Sequence, residues 1–119
     1  MSIEFPSTLT SLHENSFKEC NRLNDVGLSI PANVVEIDGP IGILRFNNVP
    51  NNLKKIGTSA FYDANFDVSD PIANFANLTS LGEYAFANNC NLKSITTSRL
   101  GNIPAHCFEN NNYLENATI

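Results

Sequence analysis

The chain is poor in histidine, cysteine and basic side chains, and it has no long apolar run. Each shortage removes a class of function. Seven Lys and Arg stand against twelve Asp and Glu, scattered over 119 residues, for a net charge of −5. Nucleic-acid binding rests on clustered cations that neutralise phosphates, so it is not expected. A polybasic segment for an anionic membrane surface is likewise missing, and no apolar stretch approaches the roughly 20 residues of a spanning helix. Only two histidines occur, His13 and His106, both placed on the helical or turn side by their distance from Leu12 and Ile103. No H-E-x-x-H pair, G-x-S-x-G elbow or phosphate-cradling glycine loop accompanies them, so the chain is read as non-enzymatic, without metal or cofactor. The opening Met1-Ser2-Ile3-Glu4-Phe5-Pro6 lacks the basic start and apolar stretch of an export signal. Either that route is not used or the chain is a piece of something longer.

Three cysteines are too few and too far apart for a disulfide framework. Cys20 and Cys90 fall about three repeats apart, beyond disulfide reach when neighbouring strands are about 4.8 Å apart. Cys107 precedes Phe108 in a slot that Ala60 and Ala85 fill elsewhere. All three read as small buried fillers.

What the chain has instead is a repeat. An aliphatic residue is followed five positions on by phenylalanine at Leu12…Phe17, Ile56…Phe61, Leu81…Phe86 and Ile103…Phe108. Three residues upstream of each aliphatic stands a further leucine: Leu9, Leu53, Leu78 and Leu100. Self-similarity at about 20–25 residues marks a solenoid, whose stacked units present long surfaces. In the first unit the spacing from Leu9 to Leu23 suits turns and short helical segments. From Val26 through Leu28 to Ile30 it is two, the period of a strand with one buried face, which Pro31 ends. Such strands bury their apolar side only by stacking into a parallel sheet. Cys20, Asn89 and Asn111 share the position three residues before a strand leucine, a tight corner where main-chain carbonyls need a donor.

Two units depart from this scheme. The second has Val34-x-x-Ile37 but no phenylalanine at the expected place, and its strand is predicted near Ile43 to Phe46. The third continues as Asp63-x-Asn65-x-Asp67-x-Ser69 with Phe66 and Val68 between the polar positions. That run resembles half of a calcium loop, yet it has Val68 where the glycine should be and Asn74 where the glutamate should be. A solvated strand face is the preferred reading. Asparagine is abundant, which suits turns because it tolerates left-handed backbone. The sequons at Asn77 and Asn116 are no more than chance supplies in such a composition.

On Leu78-Thr-Ser-Leu81-Gly-Glu-Tyr-Ala-Phe86 and Ile56-Gly-Thr-Ser-Ala-Phe61 the chain resembles the bacterial-surface-protein, or BspA-like, type of leucine-rich repeat. The resemblance covers residues 3–119. It implies an α/β solenoid of about five coils, near 3–31, 32–50, 51–75, 76–99 and 100–119. A parallel sheet would line its concave side, with short helical or turn segments on the convex side. It further implies a cell-surface or extracellular module for adhesion, binding a protein or glycan; an intracellular or virion setting is the alternative. The outward strand positions are the candidate surface: Gly27 and Ser29, then Asp67 and Ser69, then Thr96 and Ser98, then Thr118, expected as adjacent rows. Both ends read as uncapped, at Ile3-x-Phe5-Pro6 and Ala117-Thr118-Ile119. Open parallel edges invite pairing, so self-association by end-to-end stacking, as in a filament or virion, is the second functional expectation.

Overall fold

The computed structural model describes residues 5–6, 8–13, 27–41, 45–88 and 91–118. Within them the chain forms nine short strands: β1 (Ser11–His13), β2 (Glu36–Asp38), β3 (Arg45–Phe46), β4 (Lys55–Ile56), β5 (Asn65–Phe66), β6 (Ile72–Phe75), β7 (Ser80–Leu81), β8 (Ser94–Thr97) and β9 (Asn116–Thr118). Every pairing is parallel, in three sheets ordered β1-β2-β4-β7, β3-β5 and β6-β8-β9; an isolated bridge from Leu28 to Phe46 extends the second. The chain is thus a parallel β-solenoid. Leu12, Ile37 and Ile56 align in the first sheet and are buried. The aliphatic residue read as part of a turn segment is therefore a strand residue, and the second, third and fourth coils each contribute more than one strand. His13 accordingly lies on β1 with its side chain open to solvent, not on the turn side.

The phenylalanine column exists. Phe61 stacks on Phe86 at 5.3 Å and 13°, and Phe86 on Phe108 at 5.6 Å and 4°. Phe17 lies outside the described residues. The second coil supplies its aromatic from β3: Phe46 meets Phe61 edge-on at 5.2 Å, filling the gap that the missing phenylalanine leaves. Ala60, Ala85 and Cys107 are equivalent and all buried, as their shared slot requires; Cys20 and Cys90 fall outside the described residues.

Among the described residues there is no helix. The segments after β4 and β7, and residues 105–110, are trains of β-turns in which alternate N–H groups have different destinations. Ala60, Tyr62 and Ala64 donate three residues back, to Gly57, Ser59 and Phe61, whereas Ser59, Phe61 and Asp63 donate across to Glu83, Ala85 and Ala87 of the next coil. Left-handed residues recur at Ser59 and Asp63, Tyr84 and Asn88, His106 and Asn110. An α-helix would keep those amides to itself; the turn train spends half of them on stacking.

A corner row lines the first four coils. Leu9, Val34, Leu53 and Leu78 donate to the carbonyls of Pro6, Pro31, Pro50 and Phe75 at 3.1–3.3 Å. Proline suits the first residue of such a turn because it brings no N–H to satisfy. Asparagine amides do the work of missing strand pairs. Asn48 both accepts from Ile30 N (2.7 Å) and donates to Ile30 O (2.9 Å), and Asn91 does the same to Phe66 at 2.7 and 2.8 Å. Asn111 donates to the carbonyl of Phe86, the role expected of its slot; Asn89 and Cys20 lie outside the described residues.

Candidate functional site

The seven predicted surface residues do not form one set of rows. Gly27 and Ser29 flank the Leu28 bridge on the second sheet, where Asp67 follows β5. Gly27 adopts φ +76°, and a Cβ there would fall on the Asn47 side chain, so it is covered rather than presented. Asp67 is held by the guanidinium of Arg45, whose Nε donates at 3.1 Å. Ser69 is exposed in a bend beyond the strand, and Asp63 sits in a left-handed turn. The expected polar strand face from Asp63 to Ser69 therefore reduces to Asn65–Phe66. A straight row does not form because the five residues 67–71 separate β5 from β6, which begins after Pro71.

Thr96 and Thr118 do share a surface, on the third sheet. Their register places Asn74, Thr96 and Thr118 in one column and Ile72, Ser94 and Asn116 in the next. Ser98 stands just past β8 and donates from its hydroxyl to the Ala76 carbonyl at 3.1 Å. The inner residues Ala73, Phe75, Ile95 and Thr97 are buried beneath. Ile72, at 42% exposure, is the apolar member of this face. Sequence reasoning missed Ile72, Asn74, Ser94 and Asn116, although Ile72-Ala73-Asn74-Phe75 carries the strand period directly after a proline. None of the six outward side chains is charged. At its margin Lys93 and Asp70 pair at 3.7 Å.

On the first sheet, Ser11 Oγ lies 3.3 Å from His13 Nε2, and His13 Nδ1 lies 3.7 Å from Asp38 Oδ2. The order is that of nucleophile, base and orienting acid. The second distance is too long for a hydrogen bond, and His13 and Asp38 are both 69% exposed. Charges this open to water gain little from one another, and the dry setting that strengthens catalytic dipoles is missing. On the turn side, His106 stacks on Tyr84 at 4.8 Å and faces Glu109 at 3.6 Å. Among the described residues no group of three or more His, Cys, Asp or Glu is arranged to hold a metal ion, and no helix is long and apolar enough to cross a membrane.

The model of the BspA type leucine rich repeat region matches the chain in six copies, over residues 1–40 and 43–119. No curated protein and no solved structure matches the chain.

Proposed function

The chain belongs to the BspA-type leucine-rich repeat family, and from that premise we propose a non-enzymatic binding module whose working surface is the outward face of the third sheet. The observation that carries this reading is the pair of in-register columns, Ile72–Ser94–Asn116 and Asn74–Thr96–Thr118. They form a flat array of hydroxyl and amide groups with one apolar member and no charge. Such a face suits a neutral partner that offers its own hydrogen bonds, a glycan or a polar protein surface, because no buried ion pair has to be desolvated. A place at a microbial surface, in adhesion, follows from the family and is part of the proposal. The exposed Ser11–His13–Asp38 group supports the non-enzymatic reading for the physical reasons given above.

The test is a comparison of wild type with Thr96→Lys on glycan arrays and on immobilised extracellular-matrix proteins, with Glu83→Lys on the turn side as the control. Signals lost in Thr96→Lys and kept in the control support the face; signals equal in all three remove it.

A second reading, end-to-end assembly, is favoured by one observation. Ala117 of β9 is exposed, whereas its register mates Ala73 and Ile95 are buried. Sedimentation velocity over a hundredfold range of concentration tests it, and an unchanging monomer would exclude it.

A further inference from the structure

The first sheet stops one coil early. Ile37 and Ile56 each turn their carbonyl to the next coil, where it accepts from Gly57 N at 2.7 Å and Gly82 N at 2.8 Å. The equivalent residue after Ile103 is Pro104, which has no N–H to give. Its coil is still in place on the other sides. Phe86 N donates to the Cys107 carbonyl at 2.9 Å, Asn88 N to the Glu109 carbonyl at 2.8 Å, and β9 pairs with β8. Only the strand opposite β7 is missing. Among the described residues no N–H donates to the carbonyl of Leu81 or Thr79. Leu81 is half-buried where Leu12, Ile37 and Ile56 are buried, Ile103 is 38% exposed, and a Cβ on Gly101 would meet nothing within 4 Å.

We infer that the free edge of β7 is a docking site for an extended peptide of a partner protein, added as the strand that residues 101–104 do not supply. The site is independent of the third-sheet face. Strand addition fits because the unmet requirement is a main-chain donor beside an aliphatic residue, which a β-strand carries and a glycan does not. The rest of the sheet dictates the sequence of the guest. An aliphatic residue must lie against Leu81 in the column of Leu12, Ile37 and Ile56. The residue after it is glycine, as in the two adjoining coils and unlike the His13 and Asp38 of the first two: a Cβ on Gly57 would meet the backbone of Gly39, Ile37 and Asp38, and one on Gly82 the backbone of Gly57 and Thr58. The partner is therefore an aliphatic–glycine segment in extended form. The neighbouring Ser80, Gly82, Gly101 and Asn102 carry no charge, and the exposed Lys55 and Glu83 beside them are of opposite sign, so neither a basic nor an acidic peptide is called for.

The probe is a blocked, fluorescently labelled peptide of residues 78–84, Leu-Thr-Ser-Leu-Gly-Glu-Tyr, which lacks the cations that would bind an acidic protein unspecifically. Anisotropy titration of the full chain is expected to saturate. The same peptide with an N-methyl group on its glycine loses the donor and is expected to bind at least tenfold more weakly. Pro104→Gly returns a donor to the chain itself, and it too is expected to weaken the unmodified peptide at least tenfold. Failure to saturate at millimolar peptide, or equal affinity of the N-methylated peptide, or undiminished affinity in Pro104→Gly, each overturns the inference.

Discussion

The side-chain amide of Asn91 acts on Phe66 as a one-residue strand, accepting from its N–H at 2.7 Å and donating to its carbonyl at 2.8 Å. The second sheet ends at β5, and the next coil carries the ladder forward with a side chain instead of a backbone. Asn48 does the same for Ile30. Asparagine, glutamine and the peptide bond share one donor–acceptor geometry, and asparagine is the shorter side chain. This use explains part of the abundance of asparagine beyond its tolerance of turns.

Asn91→Ala should leave the N–H of Phe66 without a partner in a partly buried setting, while its carbonyl keeps only the Val68 N–H at 2.9 Å. A loss of about 2 kcal/mol is expected from the penalty for orphaned polar groups. Urea denaturation measures it. A change below about 0.5 kcal/mol, the scatter of ordinary surface substitutions, would deny the amide its structural role.

Two glycines should answer alanine in opposite ways. A Cβ on Gly82 would collide with the backbone of Gly57 and Thr58, so the coils must part to admit it. Gly82→Ala is expected to cost about 2–3 kcal/mol, in the range of overpacked interiors. Gly101 faces open space, and Gly101→Ala is expected to gain about 0.5 kcal/mol by restricting the unfolded chain. Thermal or urea unfolding of the pair decides, and equal costs would mean that coil spacing does not constrain the first-sheet glycines.

Phe86 stands between Phe61 and Phe108, with Phe75 at 5.8 Å. Phe86→Ala should cost about 3–5 kcal/mol, as for a fully buried aromatic, and Phe86→Leu about 1.5 kcal/mol or less. Phe108→Ala should cost less than Phe86→Ala, because Phe108 is only half-buried. Unfolding midpoints of the three variants give the order.

Much of this was legible beforehand. The five-residue stutter located Phe61, Phe86 and Phe108 correctly because a buried column must repeat the same residue type in every coil. The Ala60, Ala85 and Cys107 slot followed from the same constraint. The turn train was not legible as such, since spacings of three suit helices and successive β-turns alike. Its clearest signature is the row Asp63, Asn88 and Asn110, residue types that tolerate positive φ; the parallel row Ser59, Tyr84 and His106 carries that mark only at His106. The first-sheet strands are two or three residues long, too short for a two-residue period to register, so Leu12 and Ile56 read as turn residues. The expected adjacent rows of outward residues are realised only in part. Thr96 and Thr118 share the third sheet, while Gly27, Ser29 and Asp67 lie along the second and Ser69 in a bend, because the chain builds three sheets where the two-residue period implies one.

The last prediction concerns Cys107, buried against Phe86 and Ala85. Burial pushes its thiol up to about 11, and backbone hydrogen bonding at Phe86 and Ala85 offsets only part of that. In the unfolded chain a cysteine loses its proton near about 8.5. Between the two values the folded state holds a proton that the unfolded state has released, so raising the pH favours unfolding. The contribution is whole below the unfolded value and is lost as pH rises toward about 11. Stability should therefore fall over that window in the wild type and fall less in Cys107→Ala, which keeps the small side chain of the equivalent Ala60 and Ala85 without the titrating group. Urea midpoints at pH 7, 9 and 10.5 test this, together with reaction of the thiol with a disulfide reagent, which should proceed only at the rate of opening. Parallel pH profiles for the two proteins, or rapid labelling of the native thiol, would place Cys107 at the surface and refute its role as an inert filler.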